Sequence, residues 1–355
     1  MGEMISRERI QRLFRRQPID RMPVFSGLGT VVLPALDRLD VPFSAVHTRA
    51  DLMAEAALTS ARMFGMDGAV VPYDVTTVAE AAGCGIRLYT DVDETVLYPT
   101  VQEKWSRMED VCIPEDILSR GRLPLVDQAL KTLIRDTDLA TGTWILGPFT
   151  LAGQLVDLKV LYKGMRKFPE KTATFLDLMT RLTISLARHY EALGVDYLTV
   201  REMGACADLV SAGMWRTFVG PNLARVFAAV DIPTVNHICG ATGSIVEMMR
   251  DCGADAISVD QKTDVAATRN RLGDQALIFG NFDPVFTLCS DDTTATMVTT
   301  IIRQCIDDGV DAVWPGCDIW PSVIAENMRA YVQTVIRCGA KPTPAVGRIP
   351  KGMVA

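Results

Sequence analysis

Histidine is scarce in this chain: three residues, at positions 47, 189 and 237, among 355. So small a supply of imidazole argues against general acid–base catalysis by an ordinary histidine. An excess of positive charge is also missing. A net charge of -7 offers no clustered Lys and Arg footprint, so no nucleic acid partner is expected. No apolar run approaches the length of a bilayer span. The opening residues, MGEMISRERIQRLFRRQP, are charged and amphipathic with no apolar h-region, so a secretory signal is not expected. No low-complexity tract or long linker divides the chain. The nine cysteines are odd in number and scattered, which argues against a disulfide scaffold and predicts reduced thiols in the cytoplasm.

What is present is apolar and rhythmic. With 48% hydrophobic and 22% charged residues, the chain can bury a large core. Short apolar runs rich in β-branched residues alternate with helical stretches, as in strands buried on both faces of a parallel sheet. The runs are Met22–Ser26, Gly68–Pro72, Thr143–Gly147, Asp196–Val200, Pro233–Asn236, Asp255–Val259, Ala276–Gly280 and Asp311–Trp314. Helical periodicity fills gaps such as Arg49–Phe64, Ser244–Cys252 and Thr294–Asp308. A recurrent Gly-Xaa-Asp (Gly65 to Asp67, Gly194 to Asp196, Gly253 to Asp255, Gly309 to Asp311) suits a helix C-cap leading into a strand. Eight βα units predict an α/β fold with one (β/α)8 TIM barrel over residues 1–355, rather than two doubly wound domains. Cys84–Val111 breaks the rhythm and reads as a hairpin inserted after strand 2, a lid or edge of the mouth. The tail Lys341–Ala355 is expected to be irregular.

Barrel chemistry sits at the C-terminal strand ends. Those ends carry Tyr73 and Asp74, Pro148, Arg201 and Glu202, His237 and Cys239, Asp260, Asn281 and Asp283, and Cys317. His237 and Cys239 follow the fifth expected strand and Cys317 the eighth, so all three open onto one mouth. Imidazole and thiolates suit a soft metal, and a His/Cys/Cys set leaves one tetrahedral position of a catalytic zinc open for a substrate. The bland alternative is a satisfied histidine beside inert cysteines. Cys252, Cys305 and Cys338 fall in helical patterns and are expected in the core; Cys206 is a reserve ligand.

The other candidates each have two readings. Asp260 holds a substrate or orients His237, or else caps the helix that follows. Asn281 faces the mouth, while Asp283 before Pro284 forms a turn. Glu202 is a charged strand end that serves the site or pairs with Arg201. Tyr73 is a strand-end residue for substrate binding. His189 is expected to pack or be solvated within its helix, and His47 to cap a helix or lie on the surface.

The order of motifs resembles the uroporphyrinogen decarboxylase superfamily, in its branch of corrinoid-dependent methyltransferases. The matching pieces are Arg21-Met22-Pro23-Val24, Pro72-Tyr73-Asp74 with Glu80, and Gly147-Pro148-Phe149-Thr150-Leu151-Ala152. His237-Ile238-Cys239-Gly240, Ser258-Val259-Asp260, Gly280-Asn281-Phe282-Asp283-Pro284, Pro315-Gly316-Cys317 and Glu326-Asn327 complete them. The decarboxylases carry an Arg-Gln-Ala-Gly-Arg stretch after the first strand. Here Phe25-Ser26-Gly27-Leu28-Gly29-Thr30 stands in its place and has no arginine to meet substrate carboxylates.

The resemblance implies zinc on His237, Cys239 and Cys317, and a methyl group passed between a corrinoid and a zinc-activated small thiol such as coenzyme M. The corrinoid is expected on a separate corrinoid protein, since the family's Asp-x-His-x-x-Gly cobalt-ligating motif is absent. Alternatives are demethylation of a methylated donor toward a corrinoid protein, or tetrahydrofolate as acceptor. Uroporphyrinogen decarboxylation and a non-catalytic zinc or corrinoid-protein binding module rank below these.

Overall fold

The structure, a computed structural model, describes residues 3–92 and 96–339. Nine strands occur among them: β1 (Gly68–Val71), β2 (Gly85–Arg87), β3 (Thr100–Glu103), β4 (Ala140–Leu146), β5 (Tyr197–Arg201), β6 (Thr234–Ile238), β7 (Ala256–Val259), β8 (Leu277–Phe282) and β9 (Ala312–Pro315). Seven of them form one sheet in the order β1-β4-β5-β6-β7-β8-β9, with every pairing parallel. The main-sheet strands are buried along almost their whole length, which is why they read as continuous apolar runs. The sheet curls: Arg201 at the end of β5 reaches Asp318, just past β9, four places away in the sheet order.

The Gly-Xaa-Asp turns have two functions. Gly65 and Gly194 adopt left-handed conformations (φ 78° and 91°) that end the helices Ala50–Phe64 and Pro169–Leu193. Each following aspartate then accepts a backbone N–H from the preceding strand position. Asp67 takes Val24 at 2.8 Å, Asp196 takes Thr141 at 2.8 Å, Asp255 takes Thr234 at 2.9 Å and Asp311 takes Ile278 at 2.8 Å. The sequence pattern suggested only the cap; the carboxylate latch comes from the structure.

One expected strand is absent. Met22–Ser26 is largely buried but forms no ladder, so the described sheet has seven parallel strands rather than eight. Pro23 has no N–H to give. The Val24 N–H goes to the Asp67 carboxylate, and its carbonyl accepts the Asp67 N–H at 2.6 Å. One backbone bond and one side-chain bond to Asp67 therefore hold the segment beside β1. Buried Arg9 and half-buried Arg21 neutralise Asp67 at 2.6 and 2.7 Å.

Inside the sheet's curve, Phe25 meets Trp314 (5.0 Å) and Tyr197 (5.5 Å) edge to face, and Phe279 lies 4.8 Å from Trp314. Phe14, from the helix Ser6–Phe14, adds its ring to Phe25 and Phe279. Gly27 is required beside this cluster, because a Cβ there would stand 2.1 Å from Thr199 Oγ1 and 2.3 Å from the Trp314 ring. Within 84–111, β2 and β3 pair antiparallel; residues 93–95 between them, and the tail 340–355, lie outside the described residues. No helix among the described residues is long and apolar enough to cross a membrane.

Candidate active site

β6 carries His237 and β7 carries Ser258, which are register partners across the ladder. The Ser258 hydroxyl lies 2.9 Å from His237 Nδ1, which leaves Nε2 to face Cys239 Sγ at 3.1 Å. Cys239 Sγ in turn lies 3.5 Å from Cys317 Sγ, 78 residues along the chain. Gly240, at φ 86°, turns the chain just after Cys239, and a Cβ there would press on Cys206 at 3.1 Å. Gly316, just before Cys317, is tighter still: a Cβ would meet Gln261 Oε1 at 2.3 Å. The two loops are thus held against their neighbours by glycines, which fixes the thiols.

Burial, aided by the nearby Arg201 charge, pushes the His237 imidazole down to about 3, so it is neutral with a free lone pair at any ordinary pH. Hydrogen bonding between the two thiols, with burial, raises Cys239 well above the usual thiol range, while the same contact lowers Cys317. Among the described residues no three His, Cys, Asp or Glu side chains stand at finished metal-ligand positions. The donor types, one imidazole and two thiols, are nevertheless those that zinc takes. Bonds of roughly 2.0–2.1 Å to nitrogen and 2.3 Å to sulfur in a tetrahedron separate ligand atoms by about 3.5–3.8 Å. The present contacts of 3.1 and 3.5 Å need to open by only a few tenths of an ångström.

Arg201 is fully buried, lies 4.7 Å over the Trp144 ring and holds Asp318 through both terminal nitrogens, at 3.2 and 2.5 Å. It pairs with Asp318 and not with its neighbour Glu202, because adjacent strand residues point to opposite faces. Since Asp318 follows Cys317, this pair ties the loop of one candidate ligand to the far wall of the mouth.

The remaining sequence candidates have their polar atoms engaged within the protein. Glu202 accepts from Thr150 N and Oγ1, both at 2.5 Å, and from Phe149 N at 3.1 Å, holding the first turn of the helix Pro148–Leu155. Burial pushes its carboxyl up to about 7 against the pull of those donors. Tyr73 donates to Met53 O at 2.6 Å. Asp260 accepts from Lys262 N at 2.9 Å, while Asp264 caps the helix Val265–Leu272. Asn281 donates to Asp260 O (3.1 Å) and Thr263 O (2.7 Å), bracing that turn. The partner of His237 Nδ1 is Ser258. Its signal in the sequence was its place two residues before Asp260 on a strand of period two.

A second network was missed. His47, expected at a cap or the surface, is completely buried, with Nδ1 3.1 Å from the Asp74 carboxylate. Arg122 reaches Asp74 at 2.8 Å and Glu80 at 2.6 Å. Arg122 is far from the motifs in sequence and lies at the start of the helix Leu123–Asp136, so nothing local marked it. His189 is partly exposed and meets Asp127 at 2.8 Å.

Comparison with known proteins follows the same lines. A family model described as uroporphyrinogen decarboxylase (URO-D) matches residues 5–338. A methylcobamide:CoM methyltransferase of Methanosarcina barkeri is 29% identical over 336 residues, covering 94% of this chain and 98% of that one. A uroporphyrinogen decarboxylase of Coxiella burnetii is 26% identical over 357 residues, covering 93% and 95%. Among solved structures, a methyltransferase from Methanosarcina mazei superposes with a TM-score of 0.87 at 28% identity, over 94% of this chain and 98% of that one.

Proposed function

Because the chain belongs to the uroporphyrinogen decarboxylase family, we propose that it works in that family's corrinoid branch, as a zinc-dependent methyltransferase. It moves a methyl group between a corrinoid, carried by a separate protein, and a small thiol such as coenzyme M. The observation that carries this reading is the convergence of His237, Cys239 and Cys317 from two distant loops. The methylcobamide:CoM methyltransferase relative supports it. We further read the chain as one barrel domain, with Met22–Ser26 filling the eighth strand position.

His237, Cys239 and Cys317 would hold the zinc, which when bound supplies a positive centre that favours the thiolate form of a substrate thiol. The protein's own groups prepare that place. Neutral His237 offers its Nε2 lone pair, and Ser258 fixes the ring by its contact with Nδ1. Arg201 adds a buried positive charge beside both cysteines, and Asp318 keeps it in position. Tyr73, Glu202, Asp260 and Asn281, offered by the sequence as substrate-binding residues, are read here as braces of the surrounding loops, since their hydrogen bonds go to protein groups. In the reaction a carbon–sulfur bond forms as the carbon–cobalt bond of the substrate breaks, with its electron pair left on cobalt. In-line approach of sulfur to the methyl group is the geometric demand.

The decarboxylase reading has a relative in its favour. The site lacks its counter-charges, however. Residues Phe25 to Thr30 hold no arginine, and the buried arginines Arg122 and Arg201 are already paired with carboxylates. Zinc-loaded protein, methylcobalamin and a panel of thiols including coenzyme M should give loss of the methylcobalamin spectrum with at least one thiol. No spectral change with any thiol, from protein shown to hold zinc, overturns the proposal.

A further inference from the structure

Tyr98 lies midway along the inserted segment, just before β3, yet its ring neighbours come from elsewhere. It packs edge to face on Phe43 at 5.0 Å and lies 6.0 Å from His47, both in the short helix Phe43–His47. On its other side it meets Trp320 at 5.7 Å, three residues past Cys317. Trp320 is 44% exposed and His47 fully buried, so the Tyr98 ring stands at the border between solvent and interior. Its ring contacts bridge the short helix Phe43–His47 and the loop after β9 that carries Cys317. Burial raises the Tyr98 phenol, as do the nearby negative groups Asp318, Cys317 and Asp74, while Arg201 opposes them. Those residues belong to the ends of β1, β5 and β9, on opposite walls of the curled sheet.

Behind Tyr98, one polar atom of the His47 ring is left unsatisfied. His47 Nε2 is buried and has no hydrogen-bond partner among the described residues. With Nδ1 facing the Asp74 carboxylate, the ring donates from Nδ1, and Nε2 is the atom without a partner. A buried polar atom of that kind is satisfied by a water or by a polar group of a ligand.

We propose that Tyr98, wedged between His47 and Trp320, is the residue that sets how bulky a ligand can reach the Cys239–Cys317 pair. The ring admits slender thiols and excludes broad ones, and the inserted segment thereby determines acceptor specificity. The identity of the ligand as a thiol rests on the methyl-transfer reading; the steric role of Tyr98 does not.

The test therefore uses two readouts. In metal-stripped protein, Cys317 and Cys239 are alkylated with small iodoacetamide and with bulky fluorescein maleimide, and the modified peptides are quantified by mass spectrometry. Tyr98→Ala should speed the bulky reagent relative to the small one by about tenfold, a gain of the size one altered pocket contact gives. Tyr98→Phe, which keeps the ring, should match wild type. Trp320→Ala, at the exposed side of the contact, should shift the ratio in the same direction and keeps the test open if Tyr98→Ala misfolds. An unchanged ratio in every folded variant that removes either ring overturns the inference, whatever the protein's activity. With zinc and methylcobalamin, Tyr98→Ala should lower KM for an aromatic thiol more than for a two-carbon thiol. If wild type labels as expected but transfers no methyl group, the methyl-transfer reading fails and the gate stands.

Discussion

Across the β6–β7 ladder, Ser258 stands opposite His237 and fixes its ring through a 2.9 Å contact between Oγ and Nδ1. The imidazole is thereby aimed at Cys239 before any ligand arrives. Ser258→Ala should leave the fold intact and weaken zinc binding by roughly 10–100-fold, the usual cost of removing a group that orients a ligand. Competition against a chromogenic chelator measures it, and an unchanged affinity would mean that packing alone holds the ring.

Cys317→Ser should remove about one zinc per chain from protein prepared with the metal, as read by elemental analysis. Cys252→Ser, in the buried helix-end cysteine away from the cluster, should retain it. Equal zinc in wild type and Cys317→Ser would refute the ligand set.

Much of this centre was legible before the fold was known, because it depends on residue type and on strand ends. Seven of the eight expected strands form the parallel sheet, and His237, Cys239 and Cys317 converge. What could not be read were partnerships between distant residues. Arg201 pairs with Asp318, 117 residues away, rather than with its sequence neighbour Glu202. His47, Asp74 and Arg122 look unrelated on paper because the barrel is what brings their loops together. Met22–Ser26 has the composition of a strand, but the Val24 N–H goes to the Asp67 side chain and no ladder forms.

Glu202 gives a pH test. Its carboxyl is raised by burial from the ordinary 4.5 to about 7. A raised carboxyl binds its proton more tightly when folded, so its contribution is complete below about pH 4.5 and is lost as pH rises through about 7. The stability of wild type relative to Glu202→Gln should therefore fall across that window by about 1–3 kcal/mol and then level off. Urea unfolding at a series of pH values reads it. A relative stability that rises with pH would show that the Phe149 and Thr150 donors outweigh burial.

Arg122 is buried against two acids, at 2.8 Å from Asp74 and 2.6 Å from Glu80. Arg122→Met should destabilise the protein by about 3–5 kcal/mol, since it leaves a carboxylate buried without its partner. Adding Asp74→Asn should recover part of that loss. Denaturant unfolding of the two single variants and the double variant tests both statements, and an additive double variant would show that the pair is not coupled.

The four aspartate latches divide the curled sheet into joints. Val24 with β1, β4 with β5, β6 with β7, and β8 with β9 are each fastened at the same end by one carboxylate. The fasteners share no residues, so loss of one loosens its own pair and leaves three closed. They also lie at the opposite end from the thiols. Mouth loops can therefore be lengthened, shortened or exchanged during divergence while the floor of the molecule stays locked, and new substrates become reachable without rebuilding the frame.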